Sequence, residues 1–411
     1  MSEEKPASQR FFGLDIHKQY LVATAVDAAG EKVYGPRRVA WANLESWRRE
    51  TLSPQDAVVI EMTTNTWQIY DDLVPYVHSV TVVHPPHIAL ITRAQVMTDK
   101  IAARVLARLH AKGLTVGIWV PPDAVRDQRA ILAQRSKMTR LSTQAKNRLH
   151  AVLHRHHLAP PAGHLFAPAQ RSWWLTLPVS LLEREQIRCN LDTLDFASQQ
   201  EAALNTTLTT LAATDERVPL LLQTPGISQL SALTILAAVG DIARFPSAKH
   251  LVGYAGLAAR VHDSGQTTRY GGITKAGRRD LRTTMVEAAQ TAANTHPHWM
   301  AELARLEPRL GRNKAIVAIA RKLLVTVWHI WHDEQADRHA VPEVVARTFL
   351  AHAYRLGPVR RPPGQSTAAY AREQLDRLGL GLDLDEVHWA HKRPIPLPPS
   401  RLAGTTKAPS T

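Results

Sequence analysis

Short apolar runs, most of them closed by an acid or a turn, fill the first hundred residues of this chain. The first group of runs is RFFGLDIH, YLVATAVDAAG and EKVYGPRRVAW, and the second group is DAVVIEM and SVTVVHPPH. Between the two groups, the segment LESWRRE has a helical pattern. Apolar runs of this length that are bounded by Gly, Pro or Asp are typical of strands. MTDKIAARVLARLH then has the apolar spacing of a helix. The predicted order is strand–strand–strand–helix–strand–helix–strand–helix, which is an α/β domain.

The charge of the chain restricts its partners. It has 411 residues, enough for two or three domains, with a net charge of +14 and a pI of about 10.1. A protein this basic usually meets a polyanion, and nucleic acid is favoured over an anionic membrane surface. No apolar run is long enough to span a membrane, and the start MSEEKPASQR is polar. A single cysteine, Cys189, excludes an internal disulfide and fits a reducing cytoplasm.

A strongly basic helical stretch follows the α/β region. Ile131, Met138, Ala145 and Val152 recur every seven residues, and the segment from Ile101 to Pro160 holds 11 Lys and Arg against 2 Asp and Glu. A heptad-like stripe on a basic helix predicts a partner helix on one face and phosphates on the other. An ordinary amphipathic helix would explain the apolar face equally well.

The remaining chain is predicted to be mainly helical. LLLQTPGISQLSALTILAAVGDIARF places Pro-Gly-Ile between two helices, which is the shape of a helix-hairpin-helix, whose glycine turn lets backbone N–H groups approach a phosphate. We predict an α/β domain over 1–125, a basic coiled-coil-like helical linker over 126–215, a C-terminal domain over 216–335, and a basic, Pro-rich, partly disordered tail over 336–411, with one helix near Thr367–Leu378.

Three acids stand at the edges of the predicted strands and helices. Asp15 ends the first strand, Glu61 ends a central strand, and Asp99 opens the helix after the last strand. In an RNase-H-like sheet these places converge, and converging carboxylates are stable only around divalent cations. Two Mg²⁺ ions could then clamp a phosphodiester. The alternative is three unrelated acids, with Asp99 in the first turn only because it suits the helix dipole.

A glycine-rich basic segment, RVHDSGQTTRYGGITKAGRRDLR, is predicted to form a loop, and such a loop suits phosphate binding or phosphoryl transfer. Ser264, between Asp263 and Gly265, is a candidate nucleophile, although single serines more often cap turns. The basic side chains predicted to bind nucleic acid, here and in the helices before it, are Arg104, Arg135, Lys146, Arg148, Arg155, Arg269, Lys275, Arg278, Arg279 and Arg282.

Several segments in order resemble one family, the DEDD transposases of bacterial insertion sequences, described as bridge-RNA-guided serine recombinases with a RuvC-like N-terminal domain. GLDIHKQYLVATAVD resembles the first strand pair, VVIEMTTNTW the glutamate strand, and VHPPHIALITRAQVMTDKIAARVLA the last strand and acid-bearing helix. AKNRLHAVLHRHHL resembles the basic linker. The C-terminal transposase domain of the family is resembled by four segments in order: TPGISQLSALTILAAVGDIARFPSAKHLVGYAGLAAR, the following SG, GGITKAGRRDLR and ARKLL. The resemblance spans Phe11 to Trp331.

This resemblance implies a mechanism and a set of partners. Asp15, Glu61 and Asp99 would hold Mg²⁺ or Mn²⁺, and Ser264 would attack a DNA phosphodiester to form a phosphoserine link. A noncoding guide RNA would pair with donor and target DNA. The protein would act as a dimer or tetramer in the bacterial cytoplasm, at the nucleoid, with the two domains of different protomers meeting in one site.

One position departs from the family pattern. The family carries a fourth acid three residues after the third, and here that position is Ala102. Three other interpretations stay open: a RuvC-like nuclease in which water attacks, a non-catalytic nucleic-acid-binding protein, and a metal site in the His-rich stretch HAVLHRHHL.

Overall fold

The computed structural model describes residues 10–85, 98–264, 267–389 and 393–402, with the side chains of 262–270 left out. The chain divides into two compact units, Met1–Pro122 and Asp123–Thr411. The whole of IALITRAQVM, within the segment that resembles the last strand and acid-bearing helix of the family, lies outside the described residues. The predicted boundary between a linker and a C-terminal domain within the second unit stays a prediction.

The first unit is an α/β layer around a five-stranded sheet of order β3-β2-β1-β4-β5. Strands β1 and β2 and strands β2 and β3 pair antiparallel, whereas β4 pairs parallel with both β1 and β5. The predicted α/β domain is therefore confirmed, with the first strand beside a central strand. The strands are β1 Arg10–Ile16, β2 Tyr20–Val26, β3 Lys32–Ala40, β4 Asp56–Glu61 and β5 Ser79–Val83, and the helices are α1 Leu44–Thr51, α2 Thr66–Leu73 and α3 Asp99–Ala111.

Helix α3 lies unusually close to strand β1. A Cβ atom on Gly13 would stand 2.1 Å from the carbonyl oxygen of Ala103 and 2.5 Å from the backbone nitrogen of Ala107. The face of α3 toward the sheet is made of the buried residues Ala103, Leu106 and Ala107, of which two are small. The absence of a side chain at Gly13 thus lets the backbone of α3 rest on β1, and this contact positions the helix over the strand.

Two long helices open the second unit. α4 spans Asp123–Arg155 and α6 spans Leu181–Thr214, with the short α5, Arg171–Leu175, between them. Arg135 pairs with Glu201 and Arg155 with Glu183, so the two long helices run antiparallel. The heptad-like stripe is buried at Met138, Ala145 and Val152, and its partner includes α6 of the same chain.

The rest of the second unit is helical apart from two small hairpins, and most of its buried apolar residues form one core. Its helices are α7 Arg217–Leu222, α8 Gln229–Val239, α9 Ala248–Tyr254, α10 Arg279–Thr295, α11 Pro297–Leu310, α12 Arg312–Asp333, α13 Pro342–Arg360 and α14 Thr367–Leu378, and its strands are β6 Ala259–Ser264, β7 Thr267–Ile273, β8 Glu386–Val387 and β9 Ile395–Pro396.

Two expectations need correction. The glycine-rich segment predicted as a loop contains the antiparallel hairpin of β6 and β7, because its Val, Thr and Tyr residues suit paired strands. The region predicted as a tail supplies core residues: Val345 and Phe349 of α13 and Leu375 of α14 are buried in the main core. The helix predicted near Thr367–Leu378 is α14, and residues 403–411 lie outside the described part.

Helix α12 is the one helix of the described residues that is long and apolar enough to cross a membrane, judged by length and composition. Of its most apolar 18-residue window, 56% is buried inside the protein. Ile319, Leu323 and Val327 are fully buried in the main core, so packing accounts for the composition of this helix.

The close approach at Gly13 yields a stability prediction. Gly13→Ala should destabilise the first unit by about 3 kcal/mol, the upper end for overpacking, because the new Cβ meets helix backbone that cannot rotate away. Thermal unfolding of the purified variant measures this loss. Gly253→Ala is the control, since nothing lies within 4 Å of a Cβ there, and it should be neutral or slightly stabilising. Equal melting temperatures for wild type and Gly13→Ala would contradict the prediction.

Candidate functional site

The sheet and α3 bring Asp15 and Asp99 together, with Glu61 beside them. Leu14 pairs with Ile60 in the parallel register of β1 and β4, so Asp15 and Glu61 end neighbouring strands at the same edge. Asp99 is the first residue of α3, directly after Thr98, whose hydroxyl accepts a hydrogen bond from the Ile101 backbone N–H. The three acids therefore come from two strand ends and one helix start, as the sequence predicted for this type of sheet.

A histidine lies between the two aspartates. His17 Nε2 is 3.2 Å from Oδ2 of Asp15 and 3.3 Å from Oδ2 of Asp99. The Tyr20 hydroxyl donates a hydrogen bond of 2.9 Å to the same Asp99 oxygen, and the rings of Tyr20 and His17 stack with centroids 4.6 Å apart. The guanidinium of Arg38 stands 3.7 Å from the Tyr20 ring centroid, so a cation borders the cluster on β3.

The environment opposes ionisation of the acids on the strands. Burial raises the pKa of the Asp15 carboxyl, His17 counteracts this, and the negative charge of Asp99 adds to the rise. Burial and then the charge of Asp15 raise the pKa of Glu61. The hydrogen bond to Asp99 raises the pKa of Tyr20. These half-buried carboxylates repel one another, and a bound cation would relieve that repulsion.

The donor set fits a divalent cation. Among the residues that the structure describes, Asp15, His17 and Asp99 form the group whose ligand atoms all lie within 4.8 Å of one another. Glu61 is outside this group, although its electrostatic coupling to Asp15 shows that it is close. Two carboxylates and one imidazole suit a transition metal such as Mn²⁺ better than Mg²⁺, which prefers oxygen ligands.

Sequence reasoning missed His17 and Tyr20. The signal for His17 was available, because residues two apart at a strand end point to the same face and His17 follows Asp15 by two. Ala102, where the family pattern has an acid, is half-buried one helical turn after Asp99. His17 thus supplies a third donor atom in a cluster that lacks the expected carboxylate.

Ser264 lies in the second unit. It is the last residue of β6 and pairs with Thr267 of β7, so its backbone stands at the closed end of the hairpin. Its side chain and that of Arg269 are outside the described part of the chain.

The predicted nucleic-acid contacts fall into two groups. In the first, the side chains already have partners: Arg135, Arg155 and Arg278 pair with carboxylates, Arg282 donates to the Ala255 carbonyl, and Lys146 stands over the Phe166 ring. In the second, the side chains are exposed or nearly so and have no ion-pair partner among the described residues; these are Arg104, Arg148, Lys275 and Arg279. The second group is better placed to meet phosphates.

The raised pKa of Glu61 predicts how stability depends on pH. The folded state holds the Glu61 proton more tightly than the unfolded state does. The stabilisation of the folded state by this proton is therefore present below the unfolded pKa and is lost as pH rises through the folded pKa. Metal-free Glu61→Gln should therefore melt a few degrees higher than wild type at pH 8, with the gain shrinking on acidification. Thermal melts in EDTA measure it, with exposed Glu31→Gln as control. A lower melting temperature for Glu61→Gln at pH 8 would refute this.

Comparison with known proteins follows the same division of the chain. The DEDD transposase model of the IS110 group matches residues 12–158, which include most of β1, the strands β2 to β5, and α3 and α4. The model described as “Transposase IS116/IS110/IS902 family” matches residues 218–305, which include α8 and the hairpin of β6 and β7.

Three curated proteins are similar over long stretches. “Putative transposase y4qE” of Sinorhizobium fredii is 28% identical over 58% of this chain, and the match spans 55% of that protein. “Pilin gene-inverting protein” of Moraxella bovis is 27% identical over 69% of this chain and 81% of its own length. “Transposase for insertion sequence element IS1111A” of Coxiella burnetii is 24% identical over 80% and 91%.

The two family models match in chain order, one on the acid-bearing sheet and one on the helices around the serine hairpin. Together with relatives named as transposases, they show that this chain belongs to the IS110 family of transposases.

Proposed function

We propose that this protein is the recombinase of an insertion sequence, which cuts and rejoins DNA through a phosphoserine on Ser264 with the assistance of a divalent metal. The observation that carries the proposal is the cluster of Asp15, His17 and Asp99, with Glu61 beside it, in a chain of a transposase family. These acids are half-buried at the end of the sheet and raise one another's pKa, and a bound cation would relieve that repulsion.

The proposed reaction has two transesterification steps. Ser264 Oγ attacks a DNA phosphorus and loses its proton, the Oγ–P bond forms, and the P–O bond to the leaving strand end breaks as that oxygen gains a proton. In the second step a strand-end hydroxyl loses its proton and attacks the same phosphorus, the new P–O bond forms, the Oγ–P bond breaks, and Ser264 Oγ regains a proton. A divalent cation on Asp15, His17 and Asp99 would supply Lewis-acid polarisation of a phosphate oxygen.

The basic residues hold the nucleic acid in this proposal. Lys275 and Arg279 follow the serine hairpin, and their exposed side chains would balance charge on the reacting phosphate. Arg104 and Arg148 would follow the backbone of bound DNA or RNA. As in the family that the sequence resembles, a noncoding guide RNA would select donor and target DNA, and a dimer or tetramer would act at the nucleoid of the bacterial cytoplasm.

The serine step predicts a covalent protein–DNA adduct. Incubation with donor DNA, the co-purified RNA and Mn²⁺, followed by denaturing electrophoresis, should reveal DNA attached to the wild-type protein. Ser264→Ala removes the attacking oxygen and should abolish the adduct, and Asp15→Asn should reduce it at least about a hundredfold by loss of a metal ligand. Ser136→Ala, an exposed serine of α4, should behave as wild type.

The same gel separates the rival mechanisms. DNA that is still cut by Ser264→Ala, with no adduct in the wild type, would indicate a RuvC-like nuclease in which water attacks. Full recombination by both Asp15→Asn and Ser264→Ala would refute the site assignment altogether.

The donor set predicts an unusual metal preference. His17→Ala should weaken Mn²⁺ binding more than Mg²⁺ binding, because the imidazole favours the transition metal. Ala102→Asp should strengthen Mg²⁺ binding, because it adds an oxygen ligand one turn from Asp99. Isothermal titration of the metal-free full chain with each ion measures both effects. Unchanged Mn²⁺ affinity in His17→Ala would show that this histidine is not a ligand.

A further inference from the structure

A polar cavity of about 490 Å³ lies in the second unit, far along the sequence from the cluster of Asp15, His17 and Asp99. Its walls come from α4, α6, the start of α8 and the end of α13. Three arginines line it, namely Arg135, Arg355 and Arg360, and most of its other lining side chains carry a hydroxyl or an amide. Such a lining selects for an anion rather than an apolar ligand.

Two of the three arginines carry uncompensated charge. Arg135 is neutralised, because its guanidinium lies 2.5 Å from Glu201 and also donates to the Asn205 side chain. Arg360 Nε donates a hydrogen bond of 2.9 Å to the Thr210 hydroxyl and forms no ion pair within the described ranges. Arg355 is exposed and, in the same part of the chain, forms neither a hydrogen bond nor an ion pair. Two guanidinium groups are thus available to a ligand in the cavity.

The start of α8 adds backbone donors to the same cavity. Ser228 caps this helix, and its hydroxyl accepts from the Ser231 backbone N–H, whereas the N–H groups of Gln229 and Leu230 have no partner within the helix. The positive end of the helix dipole therefore faces the cavity. The turn before it depends on Gly226, whose φ is +82°.

A buried side chain in the cavity lacks a partner. Gln229 is 5% exposed, and its Nε2 donates a hydrogen bond of 3.0 Å to the Thr209 hydroxyl. Its Oε1 has no hydrogen-bond partner among the described residues. A buried acceptor without a donor is costly, so a ligand that brings a donor beside an anionic group would complete the site.

We propose that this cavity binds a phosphodiester of a nucleic-acid strand. Arg355, Arg360 and the first N–H groups of α8 hold the phosphate oxygens, and a sugar hydroxyl or base N–H of the adjoining nucleotide donates to Gln229 Oε1. A chain of net charge +14 has a polyanion as its expected partner, which favours a strand over a small metabolite. The site lies outside the metal and serine chemistry and depends only on the binding of nucleic acid.

A matched pair of charge substitutions tests the proposal. Thr206 lines the cavity and Thr207 does not, yet both are exposed neighbours on α6 whose hydroxyls donate to the carbonyl four residues earlier. Thr206→Glu places a carboxylate at the cavity and should weaken binding of a labelled single strand about tenfold, whereas Thr207→Glu should change it little. Fluorescence anisotropy in EDTA measures binding without metal or cleavage, so failure here is distinguishable from failure of the proposed reaction.

A second pair removes the arginines. Arg355→Ala with Arg360→Ala should weaken binding and reduce the slope of log affinity against log salt by about 0.7 for one lost phosphate on a single strand. Arg347→Ala, on the same helix but outside the cavity, is the control. The experiment is run separately with a DNA probe and an RNA probe. The probe whose affinity falls more in the cavity variants is the strand that the cavity holds. Equal losses within each pair, or no loss in either cavity variant, would overturn the proposal.

Discussion

The close contact between α3 and β1 sets the position of the acidic cluster at the strand end. Because Gly13 has no side chain, the backbone at Ala103 rests on the strand, closer than any other residue would allow. This contact places the first turn of α3, and with it Asp99, within reach of His17 and Asp15 at the strand end. The carboxylates repel one another, so packing of apolar residues around Leu106 must hold them together.

Much of this arrangement follows from the sequence. The apolar runs gave the order of strands and helices, and the position of an acid at the end of two strands and the start of one helix predicted their meeting. Gly13 was not predicted as a contact, because the closeness of a helix to a strand depends on packing that no local pattern records. His17 was not predicted, because a histidine two residues after a strand-end acid is common without a ligand role, and only the structure places its Nε2 between the two aspartates.

The second unit shows where local patterns mislead. The Pro- and Arg-rich composition after residue 335 suggested a tail, yet Phe349 and Leu375 pack in the main core. Composition averages over a segment, whereas burial depends on a few apolar residues at helical spacing. The segment around Ser264 was predicted to be a loop because of its glycines, but its Val, Thr, Tyr and Ile residues favour the paired strands of a hairpin.

We propose that Asp15, His17 and Asp99 hold a divalent metal in this transposase of the IS110 family. Anomalous diffraction from crystals of the full chain grown with Mn²⁺ tests it most directly. We expect an anomalous peak at coordination distance from both aspartates and from His17 Nε2. Ordered side chains at these three residues with no peak between them, in crystals that bind Mn²⁺ elsewhere, would contradict it.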